Sequence, residues 1–135
     1  MSRLMIIGCG GVASVAVHKC CQNSQVFSEI MIASRTKSKC DALKEKLQGK
    51  TDTKITTAQV DADNVEELTE LIRSYQPDAV LNLALPYQDL TIMDACLNAG
   101  VDYIDTANYE PEDTDDPQWR EIYEERCKKE GFTAY

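Results

Sequence analysis

Three stretches of the 135-residue chain carry residues whose types and spacing suit chemistry on a ligand. The first is Gly8-Cys9-Gly10-Gly11-Val12-Ala13, which follows the apolar run Leu4-Met5-Ile6-Ile7. Gly8 permits a tight turn off a strand, and Gly10 lacks the Cβ that would hold a pyrophosphate away. Ala13 is small enough for a following helix to pack closely on that strand. The free N–H groups and positive dipole end of such a helix then face an anion. The GxGxxA pattern is weak by itself; its position, after a strand-like run and ahead of a helix-like one, gives it weight.

The second stretch decides which ligand. A carboxylate closing the second strand accepts hydrogen bonds from ribose hydroxyls and repels a 2′-phosphate. Here Ile30-Met31-Ile32-Ala33 is followed by Ser34-Arg35-Thr36-Lys37, with no acid. A guanidinium binds a phosphate bidentately, with hydroxyls alongside. The expected ligand is therefore NADP(H) rather than NAD or S-adenosylmethionine. The third group comprises residues expected at other strand ends, where ligands of open α/β sheets collect. Asp61-Ala62 either borders the adenine or caps a helix, and Ala84-Leu85-Pro86 is expected beneath the nicotinamide ribose. Asp105-Thr106-Ala107-Asn108 is either functional at Asp105 or Thr106 or a simple turn. His18 lies mid-helix and points away from catalysis. No cysteine, histidine and carboxylate spacing suggests a metal, and no serine has a recognisable histidine partner.

These residues need a scaffold, and apolar runs supply one at regular intervals: Leu4–Ile7, Ile30–Ala33, Ile55–Val60, Ala79–Leu85 and Val101–Ile104. Helix-like stretches lie between them. The first, from about Gly11 to Gln22, sets Val12, Val15, Ala16 and Lys19-Cys20 at helical spacing. The second, Lys37–Leu47, aligns Cys40, Leu43 and Leu47. The third begins at Asp63 with a capping box to Glu66 and runs through Val65, Leu68 and Ile72 to Tyr75, before Pro77. The fourth spans about Asp89–Asn98, with Leu90, Met93 and Leu97 inward and Gly100 as its stop. A fifth opens at Asp116 with Pro117 in its first turn, carries Trp119, Ile122, Tyr123 and Cys127, and stops at Gly131. Alternating strands and helices with short links predict parallel strands joined by right-handed crossovers. The expected fold is a three-layer, Rossmann-like doubly wound α/β sheet of order 3-2-1-4-5, with Phe132–Tyr135 starting a sixth strand. A terminus there suggests the N-terminal portion of a longer protein.

Composition narrows the function classes. A chain that is 43% hydrophobic and 27% charged is an ordinary globular domain. No stretch approaches the roughly 20 apolar residues of a membrane span, and the apolar N-terminal run is too short for a signal peptide. A cytoplasmic location is expected. The six cysteines include no CxxC pair and are expected as free, mostly buried thiols. Net charge is −9, which argues against nucleic acid or an anionic membrane as partner. The distribution is uneven: Arg35 to Lys54 carries seven basic residues against three acidic, whereas Glu110 to Glu125 carries eight carboxylates against Arg120 alone.

The stretches IIGCGGVASVAVHKC, IASRTKSKCDAL, VLNLALPYQDLTIMDACLNAGVDYIDTANYE and EGFTAY together resemble the N-terminal half of the saccharopine dehydrogenase family, most of all its carboxynorspermidine (carboxyspermidine) dehydrogenase branch. The resemblance spans essentially the whole chain, and the ASRT, LPY and YIDTANYE segments are far more specific than the glycines. It implies a longer, homodimeric enzyme in which a substrate and dimerisation domain follows this NADP-binding domain. The implied reaction joins a diamine, 1,3-diaminopropane or putrescine, to aspartate β-semialdehyde as an imine that NADPH reduces. It also implies that Gly8, Gly10, Gly11 and Val12 bind pyrophosphate and that Ser34, Arg35 and Thr36 bind the 2′-phosphate. Asp61 and Ala62 would hold adenine, Ala84, Leu85 and Pro86 would bound the nicotinamide side, and Tyr87, Tyr109 and Glu110 would reach the substrate. Without the substrate half, this domain alone is expected to be inactive. A saccharopine or other opine-type reductase is the alternative within the class, and a non-catalytic NADP(H) sensor module is the alternative outside it.

Overall fold

The computed structural model describes residues 2–84, 88–106, 125 and 128. In chain order the elements are β1 (Ser2–Ile7), α1 (Gly11–Cys21), β2 (Phe27–Ser34), α2 (Lys37–Leu47) and β3 (Lys54–Gln59). There follow α3 (Val65–Tyr75), β4 (Ala79–Asn82), α4 (Asp89–Ala99) and β5 (Asp102–Asp105). All strand pairs are parallel and the sheet order is β3-β2-β1-β4-β5. This is the doubly wound order expected from the sequence. The expected fifth helix and sixth strand, with Cys127, lie outside the described residues.

Side-chain alternation in β1 divides the interior into two cores. Met5 and Ile7 face one way, joining Leu68 and Ile72 of α3 with Ile92, Ala95 and Cys96 of α4. Leu4 and Ile6 face the other way, joining Ala13 and Val17 of α1 with Cys40, Leu43 and Leu47 of α2. A strand covered on both faces must be apolar at every position, which is why this segment shows an unbroken run rather than alternation. Register then aligns the strand ends: Ile7 pairs with Ala33 and with Asn82, Ser34 pairs with Gln59, and Asn82 pairs with Asp105. The loops that follow emerge along one edge, so the three candidate stretches converge.

Four local expectations are corrected. In α1 the inward residues are Ala13, Val17 and Cys21, whereas Val12 and Val15 are 65% and 60% exposed. The helix approaches the sheet over its small residues, which turns the two valines outward. In α4 the buried positions are Ile92, Ala95 and Cys96, one step round from Leu90, Met93 and Leu97, which are half-buried. The cap of α3 is Asn64, whose Oδ1 accepts the Glu67 N–H at 3.1 Å, rather than Asp63 with Glu66. β4 stops at Asn82, although the Leu83 N–H still donates to the Ile7 carbonyl at 2.8 Å. The stripe of α2 and the Gly100 stop of α4, left-handed at φ 70°, are as expected. Cys9, Cys20, Cys21, Cys40 and Cys96 are free thiols, and the first two are only half-buried.

Candidate functional site

A cleft of about 310 Å³ opens over the carboxyl ends of the strands. The β1–α1 turn contributes Ile7, Gly8, Cys9 and Gly10; the β2–α2 turn contributes Ser34, Arg35 and Thr36, with Lys39 from the first turn of α2. Val60 and Ala62 follow β3, and Leu83, Ala84 and Gln88 follow β4. Gly8 is required twice over. Its φ is +113°, and a Cβ there would lie 2.6 Å from the Leu83 carbonyl oxygen. Gly10 and Gly11 differ: a Cβ at either would meet nothing within 4 Å, so what their smallness preserves is open space at the head of α1.

That head carries no cap. Gly10 is the N-cap of α1, no side chain bonds to it, and no acid stands in the first turn. The same holds at Thr36, N-cap of α2, and neither N-cap nor cleft lining there is acidic. Lys37 and Lys39 instead sit at the positive end of the α2 dipole, against the usual preference for acids there. Lys37 is held outside by Asp41 at 3.0 Å; Thr57 and Lys37 hold the Asp41 carboxyl below its ordinary range. Arg35 and Lys39 make no ion pair among the described residues. The turn carrying Arg35 is fixed by Ser34, whose Oγ accepts the Thr36 N–H at 3.2 Å and donates to the Thr36 carbonyl at 3.1 Å.

Of the residues singled out from the sequence, Gly8, Gly10, Ser34, Arg35, Thr36, Ala62 and Ala84 meet in this cleft. Gly11 and Val12 stand beside it in the first turn of α1. Asp61 is turned to the chain: its Oδ1 accepts the Asp63 N–H at 3.0 Å and its own N–H donates to Glu67 at 3.3 Å. Thr106 follows β5 and does not line the cleft. Leu85, Pro86, Tyr87, Tyr109 and Glu110 lie outside the described residues. Lys39, Cys9, Leu83 and Gln88 were not anticipated. Lys39 shares its one sequence signal, a lysine in the first turn of a helix with no acid there, with Lys37. Cys9 packs toward Cys40, and burial first, then Cys40, pushes its thiol up to about 11, so it stays neutral near pH 7. Among the described residues, no group of three or more histidine, cysteine or carboxylate side chains suits a metal, and no helix is long and apolar enough to cross a membrane.

A parallel sheet of this order, a glycine turn under an uncapped helix, and two cations across the cleft with no ion-pair partner among the described residues define a dinucleotide-binding domain. Residues 4–134 match the family described as saccharopine dehydrogenase NADP binding domain, and the chain belongs to that family. It is 44% identical over 136 residues, 99% of its length, to carboxyaminopropylagmatine dehydrogenase of Synechocystis sp.. It is 35% identical, over 97% of its length, to carboxynorspermidine synthase of Vibrio cholerae. These matches cover 33% and 34% of the relatives, so the chain spans about a third of their length. Saccharopine dehydrogenase (L-Glu forming) of Saccharomyces cerevisiae has the same fold over 99% of this chain and 26% of its own, with a TM-score of 0.78 at 17% identity. The domain therefore binds NADP(H), and open space above Gly10 with the cations Arg35 and Lys39 in the cleft lining fits that group.

Proposed function

We propose that this chain is the cofactor-binding domain of a longer polyamine-forming enzyme, which reductively condenses aspartate β-semialdehyde with an amine. The observation that carries the reading is the cleft itself: uncapped amides at Gly10–Val12 on one side and Arg35 with Lys39 on the other, with no acid among the described residues that line the space between. In this reading Gly8, Gly10, Gly11 and Val12 surround the pyrophosphate. Arg35 and Lys39 hold the 2′-phosphate, with Ser34 and Thr36 shaping their turn. Ala62, with Asp61 behind it, borders the adenine. Ala84, followed by Leu85 and Pro86, lies along the nicotinamide half, with Thr106 at the far end of the edge. When bound, the dinucleotide supplies a hydride; the chain's own residues bind it, orient it and keep its phosphates paired.

Binding is tested by titrating the protein with NADPH and NADH in a calorimeter. NADPH should bind more tightly, and Arg35→Ala should weaken NADPH alone by roughly 10–100-fold, the loss of one or two charge-assisted bonds. Equal affinities for the two nucleotides would sink the assignment. The amine is a separate question. The relative at 44% identity has a name built on agmatine and the one at 35% a name built on norspermidine, which favours agmatine over the diamines expected from the sequence. Turnover of the full-length protein with NADPH, the semialdehyde and agmatine, 1,3-diaminopropane or putrescine separates them. Turnover with none of these amines would favour an opine-type reductase or a non-catalytic module.

A further inference from the structure

The cleft wall after β4 is tied to β5 by a buried chain of hydrogen bonds that no part of the cofactor reading uses. The Ala84 N–H donates to Asn82 Oδ1 at 2.9 Å, Asn82 Nδ2 donates to the Tyr103 hydroxyl at 3.0 Å, and that hydroxyl donates to Asp105 Oδ2 at 2.8 Å. Asn82 and Tyr103 are 7% and 2% exposed, so neither takes water in place of a lost partner. A hydroxyl that both accepts and donates inside a core admits one arrangement of its neighbours. The segment it holds is the one that seals the glycine turn, since the Leu83 carbonyl fills the place of a Gly8 Cβ. Burial keeps the Tyr103 hydroxyl protonated, and burial with the nearby Asp89 charge raises the Asp105 carboxyl.

We propose that Asn82 and Tyr103 are positioning residues for the nicotinamide half of the dinucleotide, acting through the Leu83–Ala84 backbone and having no part in holding the adenosine half. The inference rests on the cofactor reading above. Its geometry is a division of labour along the sheet edge: the cations follow β2 at one end of the cleft, and the relay joins β4 to β5 at the other. In the cofactor reading 2′,5′-ADP carries the 2′-phosphate, the adenosine and the 5′-phosphate at the glycine turn and ends short of Ala84, whereas the intact dinucleotide passes over it.

Dissociation constants for NADPH and for 2′,5′-ADP, measured on the same protein, separate positioning from mere support of the fold. Tyr103→Phe keeps the packed ring and removes the hydroxyl. It should weaken NADPH about tenfold, the scale of one buried hydrogen bond, and leave 2′,5′-ADP within about twofold. Asn82→Ala leaves Tyr103 bonded to Asp105, frees the Ala84 amide and removes the donor to the Tyr103 hydroxyl, and should show the same split; it decides the matter if Tyr103→Phe does not melt cooperatively. Parallel loss of both affinities, or no loss of either, would overturn the relay. Wild-type protein that binds neither ligand would instead overturn the cofactor reading on which the relay stands.

Discussion

Helices α1 and α3 are both eleven residues long and both begin at the carboxyl edge of the sheet, yet their starts are built on opposite plans. α3 has Asn64 as N-cap, its Oδ1 on the Glu67 N–H, with Glu66 and Glu67 in the first turn. One of its orphan donors is capped and its dipole faces acids within the chain. α1 begins at Gly10 with no capping side chain and no acid. The starts of α2 at Thr36 and α4 at Gln88 also lack a side-chain cap, and those two residues line the cleft beside Gly10, whereas Asn64 does not. Among the four described helices, side-chain caps are absent where the helix head borders the cleft and present where it does not. A domain whose only need was stability would cap all four, at about 1 kcal/mol each.

The largest effect should come from the turn that opens α1. Gly8→Ala puts a Cβ 2.6 Å from a backbone oxygen in a residue at φ +113°, and neither strand can move without breaking the ladder. Strain and overpacking together should cost about 2–6 kcal/mol, measured as a lowered urea midpoint, with NADPH binding lost alongside. Unchanged stability would mean that the β1–α1 turn is looser than its contacts imply. Next comes the crossed pair that tests the comparison itself. Gly10→Ala enters open space, so stability should change by no more than about 1 kcal/mol while NADPH affinity falls about tenfold or more. Asn64→Ala should do the reverse, costing about 1 kcal/mol of stability and leaving NADPH affinity alone. If both variants lost stability and neither lost affinity, the bare helix head would have no ligand to explain it.

The same contrast accounts for what the sequence made legible. Strand order and the glycine turn were readable because parallel strands buried on both faces leave continuous apolar runs, and because Gly8 has a steric reason to be glycine. The stripe of α2 was readable because Lys37, Lys44, Glu45 and Lys46 leave Cys40, Leu43 and Leu47 as its apolar line. The cap of α3 was displaced by one residue because Asp61, Asp63 and Asn64 are all competent caps and Glu66 and Glu67 are both competent partners; residue type alone does not choose among them. Lys39 was missed because seven cations crowd one segment, and only the fold distinguishes those facing the cleft from those, like Lys37, paired outside it. The relay was hidden for another reason. Asn82, Tyr103 and Asp105 lie on two strands, and nothing in either segment indicates that they are neighbours.

The smallest effect belongs to α1 beyond its head. Gly11, Val12, Ala13, Val15, Ala16, Val17, Cys20 and Cys21 make this helix apolar nearly all round, so no polar face marks which side is inward. Bulk favours the valines at 12 and 15. The structure buries Ala13, Val17 and Cys21 instead, because an alanine at the first turn lets the helix settle close to the sheet and bring the glycine turn over the strand ends. Val15→Ser should therefore change the unfolding free energy by less than about 0.5 kcal/mol, as at an ordinary surface position. Were Val15 a core residue, losing its methyls to a hydroxyl would cost well over about 1 kcal/mol, so a large drop in the urea midpoint would show that α1 is rotated. That rotation would carry Ala13 off the sheet and lift Gly10 from the cleft, removing the feature that separates the start of α1 from that of α3.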